Sequence, residues 1–201
     1  MPSMTQPQQE QERALDDRQV LRKDAEQVLA GAELLYPAAE VEQAIERMAG
    51  EITAVLSDKN PLVLCPMIGA MVFAGRLLPR LNFLLEVTYI HATRYRGQTR
   101  GGELHWIHKP PASVSGRTLL VVDDILDEGN TMRAIMDECR QAGAAGIYTA
   151  VLADKQIDHA KEFPRADFTG LAVPNRYVFG YGMDYKGYLR NCAGIYAVKG
   201  N

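Results

Sequence analysis

Apolar residues recur at steps of three and four between Val41 and Leu56 (Val41, Ile45, Met48, Ile52, Val55, Leu56), which lays one stripe along a helix over Ala38 to Leu56. Leu21 to Leu35 also reads as helical, and Pro37 breaks the two apart. Past Leu56 the period changes. Pro61 to Cys65 is a short apolar strand, Pro66-Met-Ile-Gly-Ala70 a glycine-bearing turn, and Met71 to Leu78 a helix stopped by Pro79. Leu84 to Ala92 is strand-like, and Leu104 to His108 reads as its return strand in a hairpin. Arg117 to Asp123 is a strand, Asn130 to Ala142 a helix ended by Gly143, and Gly146 to Ala153 another strand. Several short β segments fill the region from Phe168 to the C-terminus. Strands alternating with helices predict an α/β fold, a mainly parallel sheet with right-handed crossovers and flanking helices.

Bulk properties narrow this. The 201 residues suit one domain with a full core, assigned to 19–201, with residues 1 to about 18 as a flexible Gln/Pro-rich tail. A net charge of -3 gives no electrostatic footprint for general nucleic-acid binding. No run reaches the ~18 apolar residues of a membrane span, and the N-terminus lacks the apolar segment of a signal peptide. A cytoplasmic protein is expected. Cys65, Cys139 and Cys192 are an odd count without metal-ligand spacing, which suits reduced thiols, the first two in the core. His91, His105, His108 and His159 are scattered and read as surface or packing residues.

The candidate chemistry sits in Leu119-Leu-Val-Val-Asp-Asp-Ile-Leu-Asp-Glu-Gly-Asn-Thr131. An apolar strand runs into paired carboxylates, Asp123 and Asp124, at a sheet's carboxyl edge, where open α/β sheets bind ligands. Asp127 follows, and then Glu128, Gly129, Asn130 and Thr131 open a helix whose N-terminal dipole suits a phosphate. A turn signal or a helix cap accounts for one carboxylate, not for three within five residues. Carboxylates beside an anion cradle suit a ligand carrying both hydroxyls and a phosphate, such as a ribose 5-phosphate.

Val121 to Met132 resembles the phosphoribosyl-pyrophosphate signature of type I phosphoribosyltransferases, closest to the hypoxanthine-guanine branch: an acidic pair, two apolar residues, Asp, one residue, Gly, any residue, Thr. The resemblance extends from about Leu62 to Val198. It implies that fold, with a small hood, and transfer of the 5-phosphoribosyl group from phosphoribosyl pyrophosphate to hypoxanthine or guanine. Asp123 and Asp124 would contact the ribose 2′- and 3′-hydroxyls. Asp127 to Thr131 would hold the 5′-phosphate, and Asp127 would be the general base near N7 of the purine. Lys155 stands where the branch has a donor to the 6-oxo group. Val173 to Arg190 resembles the purine-binding and metal-binding segment, which implies that Tyr177 would stack on the base, Val178 would offer backbone groups, Asp184 would ligate Mg²⁺ and Arg190 would bind pyrophosphate. A homodimer or homotetramer is also implied.

Two positions depart from the branch. Ile68 precedes Gly69 in the pyrophosphate turn, where a lysine is usual, and Arg94-Tyr95 replaces Ser-Tyr at the head of a catalytic loop. Thr93 to Glu103, polar, Gly-rich and basic, suits a lid that excludes water from a ribosyl centre; an ordinary hairpin loop is the alternative. Alternatives for function are the same transferase with xanthine or adenine, or a non-enzymatic regulator of this fold that binds a nucleotide or RNA.

Overall fold

The computed structural model describes residues 6–94 and 104–200. Chain order is α1 (Gln6–Gly31), β1 (Glu33–Tyr36), α2 (Ala38–Leu56), β2 (Leu62–Met67), α3 (Ala70–Leu77), β3 (Glu86–Arg94) and β4 (Leu104–His108). Then come β5 (Thr118–Leu126), α4 (Asn130–Gln141), β6 (Gly146–Gln156), β7 (Phe168–Pro174), β8 (Val178–Phe179) and β9 (Ile195–Ala197).

Six strands form one sheet in the order β4-β3-β2-β5-β6-β7, parallel throughout except for β4, which returns antiparallel to β3 as the hairpin reading expects. Side chains alternate across a strand, so β5 feeds two cores. Leu120 and Val122 join α2 and α3 on one face, while Leu119 and Val121 join α4 on the other. Burial on both faces is why β5 reads as an unbroken apolar run. The stripe of α2 is buried at Val41, Ile45, Met48, Ile52 and Leu56, each contributing about 1.5–3 kcal/mol. Val55, counted in that stripe, is exposed instead, and the small Ala44 and Ala49 complete the contact face. On α4, Met132, Ile135, Met136 and Cys139 are buried. The thiols of Cys65 and Cys139 are both pushed up to about 11 by burial, which leaves them poor nucleophiles at neutral pH.

Both ends of the chain build the hood, an antiparallel sheet in the order β1-β9-β8. The sequence reading differs here. The periodicity carries the helix to Leu35, but it stops at Gly31, and Leu34 and Leu35 belong to β1, which pairs with β9. The same helix starts at Gln6, so much of the stretch expected to be a tail is helical. Asp24 on α1 accepts hydrogen bonds from Lys186 Nζ at 2.8 Å and Tyr185 Oη at 3.1 Å. Among the described residues, no helix is long and apolar enough to cross a membrane.

Candidate active site

A cavity of about 520 Å³ opens at the carboxyl ends of β2 and β5. Its wall includes Ile68 and Gly69 from the turn after β2, the stretch Asp123 to Gly129, Thr131 on α4, and Asp184 and Arg190 from the segment after β8. Three segments remote in sequence therefore meet where the parallel strands end. Asn130, Lys155, Tyr177 and Val178 do not line this wall. Tyr95, with residues 96–103 of the expected lid, lies outside the described residues; Arg94 is the last residue of β3, paired with Leu104.

Asp123 and Asp124 are nearly buried, and Asp124 N donates to Asp123 Oδ1 at 3.0 Å. Burial first, then the charge of the adjacent Asp124, pushes the Asp123 carboxyl well above the usual range. Asp124 is also raised by burial, with Asp123's hydrogen bond and the positive charge of Arg190 opposing. The pair therefore keeps a proton to higher pH than separate surface carboxylates would. Such a pair both donates and accepts, as a vicinal diol requires.

The loop after the pair turns on Gly129, at φ +85°, where any side chain would strike the backbone of Phe163. α4 begins at the next residue and aims its N-terminal end at the cavity, where the helix dipole favours an anion. Glu128 is held by Asn130 Nδ2 at 3.1 Å.

Beside the acidic pair, two glycines let two backbones and the Asp124 carboxylate converge. A Cβ on Gly69 would overlap the Asp124 carboxylate, and one on Gly182, at φ +109°, would overlap the Gly69 carbonyl. The Met67–Ile68 peptide is cis, and Ile68 is half exposed at the cavity. Gly182 was not singled out from sequence; the Gly180-Tyr-Gly182 spacing was its only signal. Its neighbour Tyr181 is buried, and Tyr181 Oη donates to Glu42 Oε1 at 2.5 Å. Glu42 also pairs with Arg76 and Arg80, each at 2.8 Å, which ties this segment to α2 and α3.

Two ion pairs flank the cavity. Lys155 Nζ lies 2.7 Å from Asp127 Oδ2, joining the ends of β5 and β6. Arg190 lies 2.6 Å from Asp184 Oδ1 and donates to Gly182 O at 2.5 Å, while Gly187 N donates to Asp184 Oδ2 at 2.6 Å. Among the described residues no three His, Cys, Asp or Glu side chains form a metal cage. An Mg²⁺ ion takes one or two carboxylates and completes its shell with phosphate oxygens and water. Asp184 faces the cavity, and each of its oxygens has a second lone pair beyond its present partner.

On the hood, Tyr177 is partly exposed and packs edge-on against Tyr185, with ring centroids 5.4 Å apart. Its carbonyl accepts from Val198 N at 2.9 Å, and Val178 is buried opposite Ala197. This anchors both residues to β9.

Residues 31–186 match the phosphoribosyl transferase domain model. The hypoxanthine-guanine-xanthine phosphoribosyltransferase of Tritrichomonas foetus is 34% identical over 158 residues, covering 79% of this chain and 86% of that protein. The hypoxanthine-guanine phosphoribosyltransferase of Bacillus subtilis is 30% identical over 181 residues, covering 90% and 97%. A solved hypoxanthine-guanine-xanthine phosphoribosyltransferase superposes with a TM-score of 0.69 at 31% identity, covering 84% of this chain and 94% of that one. A hypoxanthine phosphoribosyltransferase from Staphylococcus aureus gives 0.77 at 24% identity, a likeness of fold. The family model and these relatives span most of the chain, the fold agrees with the solved structures, and the chain belongs to the phosphoribosyl transferase domain family.

Proposed function

We propose that this chain is a purine-salvage transferase that moves the 5-phosphoribosyl group from phosphoribosyl pyrophosphate to N9 of hypoxanthine or guanine, giving the nucleoside monophosphate and pyrophosphate. The observation that carries the reading is the Asp127–Lys155 pair, 2.7 Å apart at the ends of neighbouring strands, next to the buried Asp123–Asp124 pair.

In this reading Asp123 and Asp124 hold the ribose 2′- and 3′-hydroxyls, and the loop from Asp127 to Thr131 with the α4 N-terminus holds the 5′-phosphate. The Asp127–Lys155 pair splits as the base arrives. The ammonium of Lys155 turns to the purine 6-oxo group, and the released carboxylate of Asp127 accepts the N7 proton as the N9–C1′ bond forms and the bond from C1′ to pyrophosphate breaks. Tyr177 stacks on the base, with Val178 beside its edge. The turn at Ile68 and Gly69, with Arg190, holds pyrophosphate; Asp184 would hold Mg²⁺, which neutralises charge on the leaving group. Arg94 and Tyr95 belong to the segment read as the lid. Lys155 favours a 6-oxo purine, since a 6-amino group would set donor against donor.

Exposed apolar side chains on β3 and β4 (Val87, Tyr89, Ile107), with Leu84 just before β3, support association with a second copy as homodimer or homotetramer. A cytoplasmic location goes with this salvage role.

The test is incubation with phosphoribosyl pyrophosphate, Mg²⁺ and, in turn, hypoxanthine, guanine, xanthine and adenine, following monophosphate formation. Hypoxanthine and guanine should react. Turnover only with xanthine or adenine would move the substrate assignment, and no product with any base would favour a nucleotide- or RNA-binding regulator.

A further inference from the structure

Lys161 has no place in the mechanism above, and no sequence motif marks it. Its side chain is nevertheless only 9% exposed. Its ammonium donates to the carbonyl of Leu126 at 3.0 Å and forms an ion pair with Asp154 Oδ1. Leu126 and Asp154 are register partners across β5 and β6. Lys161 thus bridges the last paired rung of these two strands. One residue past that rung on each side stand Asp127 and Lys155.

The two residues after Lys161 continue the contact. Glu162 N donates to Glu128 O at 2.8 Å, and the Phe163 backbone lies so close to Gly129 that no side chain fits between them. Residues 161–163 therefore run along Leu126, Glu128 and Gly129, three of the four residues that lead into α4.

We propose that Lys161 is a positioning residue, which fixes the separation of Asp127 from Lys155 by bridging the strands that carry them. The proposal rests on the transferase reading. The physical reason is that the Leu126 carbonyl and the Asp154 carboxylate are both acceptors that share this cation. Without it, two acceptors face each other in a partly buried place and repel, and the strand ends move apart. The reacting groups then lose the spacing on which proton transfer depends, since misplacement on the ångström scale can cost a hundredfold in rate.

The experiment compares wild type with K161M, K161R and the double variant K161M/D154N. Initial rates are measured with hypoxanthine and phosphoribosyl pyrophosphate. In parallel, Lys155 acylation by an amine-reactive reagent is followed by mass spectrometry, and melting temperatures are recorded. K161M should lower kcat at least tenfold and raise the KM for hypoxanthine, and Lys155 should be acylated at least threefold faster. K161R should return kcat to within about threefold of wild type by restoring the cation. D154N should recover part of the K161M loss, because removing the carboxylate relieves the repulsion; a lysine serving only to fill space would not be rescued this way. Wild-type kcat and wild-type acylation in K161M would overturn the proposal. So would a loss that neither K161R nor D154N relieves. If wild type turned over no base, the transferase reading would fall, and the acylation rates would still judge the bridge.

Discussion

The meeting of Gly182 with Gly69 is open to a quantitative test. Gly182→Ala imposes two separate penalties. The first is conformational: φ is +109°, and an L-residue held at positive φ costs about 1–2 kcal/mol. The second is steric, because the new Cβ would overlap the Gly69 carbonyl, a backbone atom that cannot swing aside. Relief requires moving either the segment from Gly180 to Asp184 or the pyrophosphate turn. Forced backbone shifts in packed regions cost about 1–3 kcal/mol, so the total is about 2–5 kcal/mol. For a chain of this size 1 kcal/mol lowers the melting temperature by about 2–4 °C, which places the expected drop between about 4 and 20 °C. Gly116→Ala is the control: φ is +71° there and nothing lies within 4 Å of the added methyl, so only the conformational penalty applies. Scanning calorimetry gives both melting temperatures, and initial rates give the KM for phosphoribosyl pyrophosphate. Gly182→Ala should melt below Gly116→Ala and raise that KM, since Gly69 and Arg190 are both displaced. Equal melting temperatures with an unchanged KM would refute the claim that this approach sets the pyrophosphate side of the cavity.

Three other outcomes follow from the site. Asp127→Asn should lower kcat by about 100-fold or more, the range of general-base loss, while ribose 5-phosphate binds within threefold of wild type by calorimetry; an unchanged rate rejects the base role. Ile68→Lys adds a second cation beside Arg190 to the proposed pyrophosphate subsite, worth about 1 kcal/mol at 4 Å even in bulk water, so the inhibition constant for pyrophosphate should fall about fivefold; an unaltered constant counts against that turn holding pyrophosphate. Asp123 is raised by burial and by Asp124, so the stability it contributes is present below its unfolded value and lost as pH rises through the folded one. Asp123→Asn should therefore melt above wild type at pH 8, with the gap closing toward pH 4, and a gap independent of pH would contradict the buried-pair account.

How much the sequence disclosed depended on how local each cause was. β5, its acidic end and the start of α4 are contiguous, so the apolar run, the carboxylates and Gly129 could be read together. The hairpin to β4 was legible for the same reason. β1 was not: Leu34 to Tyr36 is short, follows helix-forming residues, and becomes a strand only because β9 lies alongside it. Tertiary pairing there overrides local propensity. α1 escaped recognition in its first half because that stretch carries no apolar period, the signal from which helices were read. Of the site, the motif residues were visible and their braces were not. Glu42 beneath Tyr181, Gly182 against Gly69 and Lys161 against Leu126 are all partnerships between residues far apart in sequence, and none has a spacing that marks it.

The hood also has a consequence for biosynthesis. β1 emerges from the ribosome early, yet its partner β9, at 195–197, follows all six strands of the main sheet in the chain. Domains assemble during synthesis from the N-terminal side onward, so the six-stranded sheet and the sugar-phosphate loop can form while β1 still waits for its neighbour. The hood closes only once β9 has emerged. A ribosome that stopped before β9 would thus release a molecule with the acidic loop folded and no hood above it.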